Sequence, residues 1–406
     1  MEKNFVNHTS YQLFDELTTH VVSSQDQSST YSIFPFPTSG GHTLIHQVVT
    51  DYTIRVNPKP IFIFENKFTD HYSVHLIKLT ENIIVIGCHD IIRVIDVSQK
   101  KELMELKGPV TCLERITDTS FAVGSWNLTP IIRVWDILTG TSFELRGHSY
   151  PPTCIVRMSD DIVVTGTQDT MIRVWDFTKK ESMELKGHLQ PVMHITKLTD
   201  QVFITADQKK EVKVWKICST HPKEVPDYYN VVCILELTIK SISCVTRLTD
   251  TLFITGTTQW GGNKLVQVWN TTGKLIINFE HPEGITNIKT LSPTTFATGS
   301  EDGTVTVCDV TDGSMKVGQT ECRRMRENLC GITCVDKLAD NLFVTGISDG
   351  LIQVWNCKED LNDDPMVLKE HQDPNHYFTY SCVMRLTDTS FVTQSYDKTI
   401  VYSIYD

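Results

Sequence analysis

Three sets of side chains in this 406-residue sequence have the types and spacing that chemistry needs. Arg323, Arg324 and Arg326 put three guanidiniums within four positions. Such a cluster can grip a phosphate or carboxylate bidentately, although Glu321 and Glu327 stand beside it as local partners. His148, Thr165 or Thr167, and Asp169 are the residue types of a nucleophilic triad. Twelve cysteines could ligate metal or form disulfides, but none falls in a C-x-x-C pair, so zinc-ribbon and thioredoxin-like signatures are missing. The sequence also has no Gly-rich phosphate loop and no Gly-x-Ser-x-Gly elbow. What these sets can do depends on the elements that position them.

Composition narrows the classes. Hydrophobic residues make up 40% and charged residues 21%, which supports a sizeable core and excludes wholesale disorder. Lys and Arg number 37 against 49 Asp and Glu, for a net charge of −12. Nucleic acid and anionic membranes require a basic face, so neither is an expected partner. The start, Met1 to Asn7, is not a basic-then-apolar leader, and no apolar run approaches the roughly 20 residues of a membrane span. The expected setting is cytoplasmic, with the nucleus possible, and the thiols are expected to be reduced. Asn7-His8-Thr9, Asn127-Leu128-Thr129 and Asn270-Thr271-Thr272 then read as chance matches to a glycosylation acceptor.

A repeat organises most of the chain. A basic residue, an apolar anchor, Ser or Thr, and Asp recur as Arg115-Ile116-Thr117-Asp118, Arg157-Met158-Ser159-Asp160, Lys197-Leu198-Thr199-Asp200 and Arg247-Leu248-Thr249-Asp250. Lys337-Leu338-Ala339-Asp340 and Arg385-Leu386-Thr387-Asp388 continue the series, and Lys78-Leu79-Thr80-Glu81 and Thr290-Leu291-Ser292-Pro293 are looser copies. The eight anchors recur about every 44 residues. After each anchor comes a β-branched run, a tight turn often holding Asp, a second run such as Ile172-Arg173-Val174-Trp175-Asp176, and a looser strand. Runs of this length and composition, bounded by Gly and Asp, predict four antiparallel strands per copy, the pattern of a propeller blade.

From about residue 60 onward the chain resembles the WD-repeat β-propeller family. Trp-Asp stands at Trp135-Asp136 and Trp175-Asp176, and Trp215, Trp269 and Trp355 fill the same slot. Ile95, Cys308 and Ser403 are expected to occupy it in the other copies. Gly147-His148 and Gly187-His188 carry the Gly-His signature, with Glu280-His281 and Glu370-His371 as variants. The resemblance implies a buried His, Ser/Thr, Asp and Trp network. The set His148, Thr165, Asp169 and Trp175 is expected to be the one copy with all four, holding structure and not performing catalysis. The fold class predicted is all-β: a closed propeller of four-stranded antiparallel blades, eight in number with seven as the alternative. The family further implies that Pro60–Glu65 supplies the missing strand of the last blade and closes the ring. Residues 59–406 are the predicted propeller. Residues 1–58, with a short helix possible over 10–17, form a partly ordered extension with no assigned function.

On such a scaffold the strand 4–1 and strand 2–3 loops share one face. Aligning the copies puts His89, Trp126, Gln168, Trp260, Glu301, Ser348 and Tyr396 in or beside the strand 2–3 loops. His376, Tyr377, Phe378 and Tyr380 precede the last blade, and Tyr150 follows His148. Aromatic anchors of this kind dominate binding hot spots. The expected protein-binding residues are therefore His89, Trp126, Trp260, Tyr377, Phe378 and Tyr396, together with Arg323, Arg324 and Arg326. Cys112, Cys154, Cys244, Cys334 and Cys382 share one first-strand position, with His75, His194 and Asn287 in other copies. Blades spread these around too wide a ring for one ion, so no metal and no cofactor are expected there. The basic residues that open each repeat are expected to pair with the acid three positions on. The insertions 219–230 and 359–365 are expected as strand 3–4 loops on the opposite face, the second a solvated linker.

The function expected is a non-enzymatic scaffold that presents peptide- or domain-binding surface to other proteins, as a monomeric propeller within a complex. One alternative is a substrate-recognition subunit of a ubiquitin ligase, reading acidic or phosphorylated peptides through the arginine loop. WD-repeat receptors of that kind exist, although no F-box is visible here. The other alternative, an enzyme using the central channel, has no supporting motif.

Overall fold

The computed structural model describes residues 36–37, 43–44, 58–65, 75–88, 91–125, 130–177, 179, 181–209, 211–219, 229–258, 264–281, 283–319, 331–358, 361, 365–369, 382–395 and 398–404. The chain divides into two compact units, Met1–Val56 and Asn57–Asp406. In the first, Phe36–Pro37 pairs antiparallel with Thr43–Leu44. The helix expected over 10–17 lies outside the described residues.

The second unit is an eight-bladed propeller of four-stranded antiparallel sheets. Blade 1 runs from His75–Lys78 to Lys101–Lys107, blade 2 from Cys112–Arg115 to Ser142–Arg146, and blade 3 from Pro152–Arg157 to Glu181–Leu185. Blade 4 runs from Val192–Thr199 to Tyr229–Thr238, blade 5 from Ile242–Arg247 to Leu275–Glu280, and blade 6 from Ile285–Thr290 to Met315–Gln319. Blade 7 runs from Ile332–Lys337 to Met366–Leu368. Blade 8 comprises Cys382–Thr387, Ser390–Gln394 and Lys398–Ser403, and its outer strand is Lys59–Glu65. That strand pairs with the chain's last strand, Phe62 opposite Val401 and Phe64 opposite Thr399. The closure replaces an open sheet edge with a ladder of backbone hydrogen bonds. Lys78 of blade 1 also donates to the Leu386 carbonyl of blade 8 at 2.7 Å.

Position within a blade explains the sequence pattern. Ile162–Thr167, the second strand of blade 3, is buried at every residue because blades press on both its faces. Such a strand reads as a continuous apolar run. Lys101–Lys107, at the rim of blade 1, alternates exposed and half-buried residues. The hydrophobic clusters accordingly lie between blades. One joins Met158, Ile162, Val164 and Val174 of blade 3 to Val192, Phe203 and Trp215 of blade 4. Another joins Ile84, Ile86 and Ile95 of blade 1 to Leu386, Val392 and Val401 of blade 8. Glycine on the second strand permits this approach: a Cβ on Gly166 would stand 2.6 Å from Val192 Cγ1 and 2.9 Å from Cys154 Sγ.

Register corrects one slot. In blades 4 and 7 the slot tryptophan lies opposite a buried phenylalanine and stacks on it, Phe203 with Trp215 at 6.3 Å and Phe343 with Trp355 at 6.1 Å. In blade 8 the partner of Phe391 is Tyr402, stacked at 5.0 Å, and not Ser403. Ser403 pairs instead with Ser390 at the strand end. Both insertions lie in strand 3–4 connections, as expected, and the structure adds detail to each. Blade 4's last two strands continue to Ser219 and from Tyr229, paired with each other, so the first insertion extends a hairpin. In the second, Leu361 is buried with the blade 7 core and packs against Gly318 and Trp355, so that residue anchors the connection.

Candidate functional site

Backbone hydrogen bonds join the strand 4–1 and strand 2–3 loops on one face. Gln208 donates to the Pro191 carbonyl at 2.9 Å, Glu301 to that of Gly284 at 2.9 Å, and Ser348 to that of Gly331 at 3.0 Å. Glu301 and Ser348 are thus part of this face as aligned. His89, Trp126, Trp260, Tyr377, Phe378, Tyr396, Arg323, Arg324 and Arg326 lie outside the described residues. Among the described residues this face exposes two large apolar groups beside polar Gln208 and Lys240: Tyr150, two residues after His148, is 53% exposed, and Leu189, one residue after His188, is 74% exposed. Met193, five residues after His188, is exposed too.

Buried polar bonds hold these loops. In blade 3, His148 Nε2 and Thr165 Oγ1 are 2.9 Å apart, and Trp175 Nε1–H donates to the same hydroxyl at 2.9 Å. The His148 and Trp175 rings meet edge to face at 5.2 Å. Asp169 accepts from the Thr167 hydroxyl and, at 3.2 Å, from the Met171 N–H, which fixes the adjacent strand 2–3 turn. Burial lowers the His148 pKa to about 4, so the ring is neutral at physiological pH. Gly147 precedes it at φ +146, and a Cβ there would press on Arg173 and Trp175.

Blade 4 repeats the arrangement with a shifted acid, which the alignment of copies missed. His188 Nε2 is 2.6 Å from Thr205 Oγ1, and Trp215 donates to that hydroxyl at 2.8 Å. Its acid is Asp207, two residues after the threonine, and not a turn residue like Asp169. Blade 6 keeps the bond without tryptophan: Thr298 Oγ1 lies 3.0 Å from His281 Nε2 and 2.6 Å from Thr306 Oγ1. In blades 5 and 7 the tryptophan alone donates, Trp269 to Thr255 at 3.0 Å and Trp355 to Thr345 at 2.9 Å. In blades 3, 4 and 6 the hydroxyl meets the histidine of the entering loop, so there the loop conformation follows from the core.

The basic residues that open the repeats pair locally. Arg115, Arg157, Arg247 and Arg385 each bond the aspartate three positions on. Lys197 meets Asp200 at 2.6 Å and Lys337 meets Asp340 at 3.3 Å. Lys197 also donates to the Met158 carbonyl of the preceding blade, at 2.5 Å. In the cysteine ring, burial pushes the thiols of Cys112 and Cys154 up to about 12 and that of Cys244 to about 11. A metal ligand or nucleophile must be thiolate, so these sulfurs act as small packing groups between blades. Glu114, on the inner strand of blade 2, accepts the Arg157 backbone N–H of blade 3, and burial raises its carboxyl to about 7.

Comparison with known proteins agrees with this geometry. Residues 140–176, which hold the most complete copy, match the family described as WD domain, G-beta repeat. No curated protein matches the chain as a relative. Among solved structures, the computationally designed Ika8 protein superposes with a TM-score of 0.67 at 22% identity, covering 84% of this chain and 98% of that one. The C-terminal WD40 domain of Sif2 superposes with a TM-score of 0.67 at 15% identity, covering 86% and 99%. The chain folds as an eight-bladed β-propeller, and one of its repeats, residues 140–176, matches the WD-repeat family. Propellers of this family are generally protein-interaction scaffolds and typically non-enzymatic.

Proposed function

We propose that this propeller is a non-enzymatic scaffold that binds other proteins across the face bearing the strand 4–1 and strand 2–3 loops. The supporting observation is the apolar exposure of Tyr150 and Leu189 on loops whose backbones are tied to the core through His148–Thr165 and His188–Thr205. Large apolar groups held rigidly at a surface lose little entropy on binding, which is what an interface anchor requires. A propeller face readily supplies the roughly 800 Å² per partner of a standard interface. The neutral histidines and the protonated thiols of Cys112, Cys154 and Cys244 make no activated nucleophile–base pair, which agrees with a binding role.

The finer reading gives Trp126, Trp260, His89, Tyr377, Phe378 and Tyr396 to the same surface. Arg323, Arg324 and Arg326 would serve an acidic or phosphorylated segment, as in a substrate receptor of a ubiquitin ligase. Affinity capture on the full chain, with mass spectrometry, tests both. Under the arginine reading, the combined change Arg323→Ala, Arg324→Ala and Arg326→Ala abolishes capture of the acidic partner, and raising salt weakens the wild-type complex. Partners retained by the triple variant at low and at high salt would remove the acidic-ligand reading and leave the apolar face.

A further inference from the structure

The loop pair at the entry to blade 4 differs from its counterparts in what faces the histidine. In blade 6, His281 Nδ1 lies 3.0 Å from the Glu283 carbonyl oxygen, a local partner. In blade 4, two carboxylates face His188 Nδ1: Asp207 Oδ2 at 3.6 Å and Glu211 Oε2 at 3.8 Å. All three atoms lie within 4.8 Å of one another. The His188 side chain is 0% exposed, and among the described residues its Nδ1 has no partner within 3.5 Å, Asp207 standing just beyond at 3.6 Å. Its other nitrogen is occupied by Thr205.

We propose that His188, Asp207 and Glu211 bind a divalent transition-metal ion, Zn²⁺ by preference, bridging the two loops. An imidazole Nδ1–H can serve one carboxylate at a time, and both oxygens stand beyond hydrogen-bond range. A cation serves all three at once. Donors around a tetrahedral ion with bonds of about 2.1 Å stand roughly 3.4 Å apart, so the two histidine–carboxylate gaps are close to that spacing, and the two carboxylates, within 4.8 Å of each other, draw together on the ion.

The surroundings suit it. Thr205 Oγ1 can accept the Nε2–H, which leaves the Nδ1 lone pair for the ion, the outer-shell arrangement usual for ligating histidines. Asp207 is oriented by the backbone N–H groups of Lys209 and Glu211, each donating to Oδ1 at 3.0 Å. Two carboxylates and a neutral imidazole balance a 2+ charge. Lys213 stands 3.8 Å from Glu211 but is anchored 2.7 Å from Glu236, so it shares Glu211 with the ion and does not block it. Glu211 is partly exposed and gives the ion its route from solvent. No ligand comes from the cysteine ring: His188 lies in the loop entering the blade, Asp207 ends its second strand and Glu211 opens its third. The proposal stands independently of the interaction reading.

The test is equilibrium dialysis of the metal-free full chain against Zn²⁺, beside Glu211→Gln. The chain's 12 cysteines and 14 histidines bind zinc nonspecifically, and this variant keeps all of them. The expected result is one more ion per wild-type chain, bound at least about tenfold more tightly than the variant binds its own. Zn²⁺ should raise the melting temperature of the wild type and leave that of Glu211→Gln unmoved. Without metal, the variant should be as stable or more so, because a like charge has gone. Equal zinc content or equal thermal shift for the two proteins would overturn the proposal. His188→Ala should lose the same ion, and if it does not fold, Glu211→Gln decides alone.

Discussion

The single hydroxyl of Thr165 supports two buried partners, and this gives a graded test of how the loops are held. Thr165→Val keeps the side chain's shape and removes the oxygen that Trp175 Nε1–H donates to and that His148 Nε2 meets. Both nitrogens are enclosed, so neither recovers its bond from water. Leaving a buried donor or acceptor unsatisfied costs about 1–3 kcal/mol, so the substitution, which strands two such groups, should cost about 2–6 kcal/mol. Thr255 in blade 5 provides the internal comparison. It too is fully buried and accepts from Trp269, and the loop entering its blade, residues 239–241, contains no histidine. Thr255→Val, which strands one such group, should cost about half as much, roughly 1–3 kcal/mol. Urea unfolding of both variants at neutral pH, read as a shift in midpoint at unchanged slope, measures the pair. Equal losses, or a loss under about 1 kcal/mol for Thr165→Val, would mean that the histidine bond does not hold its loop.

Three other outcomes follow from the same geometry. Glu114 has a folded-state pKa raised from 4.5 to about 7, so the folded protein binds more protons than the unfolded chain between those values and loses stability as pH rises through them. Glu114→Gln should therefore be the more stable protein above pH 7 by at most about 3 kcal/mol, with the advantage fading toward pH 4.5, as paired melts across that range would read. Gly166→Ala brings a methyl against Val192 and Cys154 and should cost about 1–3 kcal/mol, with Val192→Ala restoring part of it in a double-mutant cycle. The zinc site predicts a metal-dependent melting temperature that Glu211→Gln abolishes.

Much of the architecture was legible in the sequence because each blade must solve the same packing problem. The anchor, the second-strand phenylalanine and the slot tryptophan recur because each blade's face is covered by the next. Closure by Pro60–Glu65 was legible for a related reason: the last copy has three strands and needs a fourth. The slot of blade 8 slipped by one residue because tyrosine replaces tryptophan there and no Trp-Asp pair marks the register; only pairing with Phe391 identifies Tyr402. Leu361 stands among Glu359, Asp360, Asp363 and Asp364, so the charge hides a single buried anchor. The second histidine network escaped because Asp207 reaches His188 from the end of a strand, whereas Asp169 lies in a turn. Loop residues of the binding face obey no period, since what they contact is not part of the repeat.

The interaction account is tested most directly by comparing two faces of one molecule. Tyr150→Glu with Leu189→Glu places charge on the loop face. Leu138→Glu does so at a residue 78% exposed in the strand 3–4 loop of blade 2, on the opposite side. Partners captured by the wild-type chain should be lost from the double variant, at unchanged melting temperature, and retained by Leu138→Glu. Capture that survives in the double variant, or fails in Leu138→Glu alone, would contradict the assignment of the binding face.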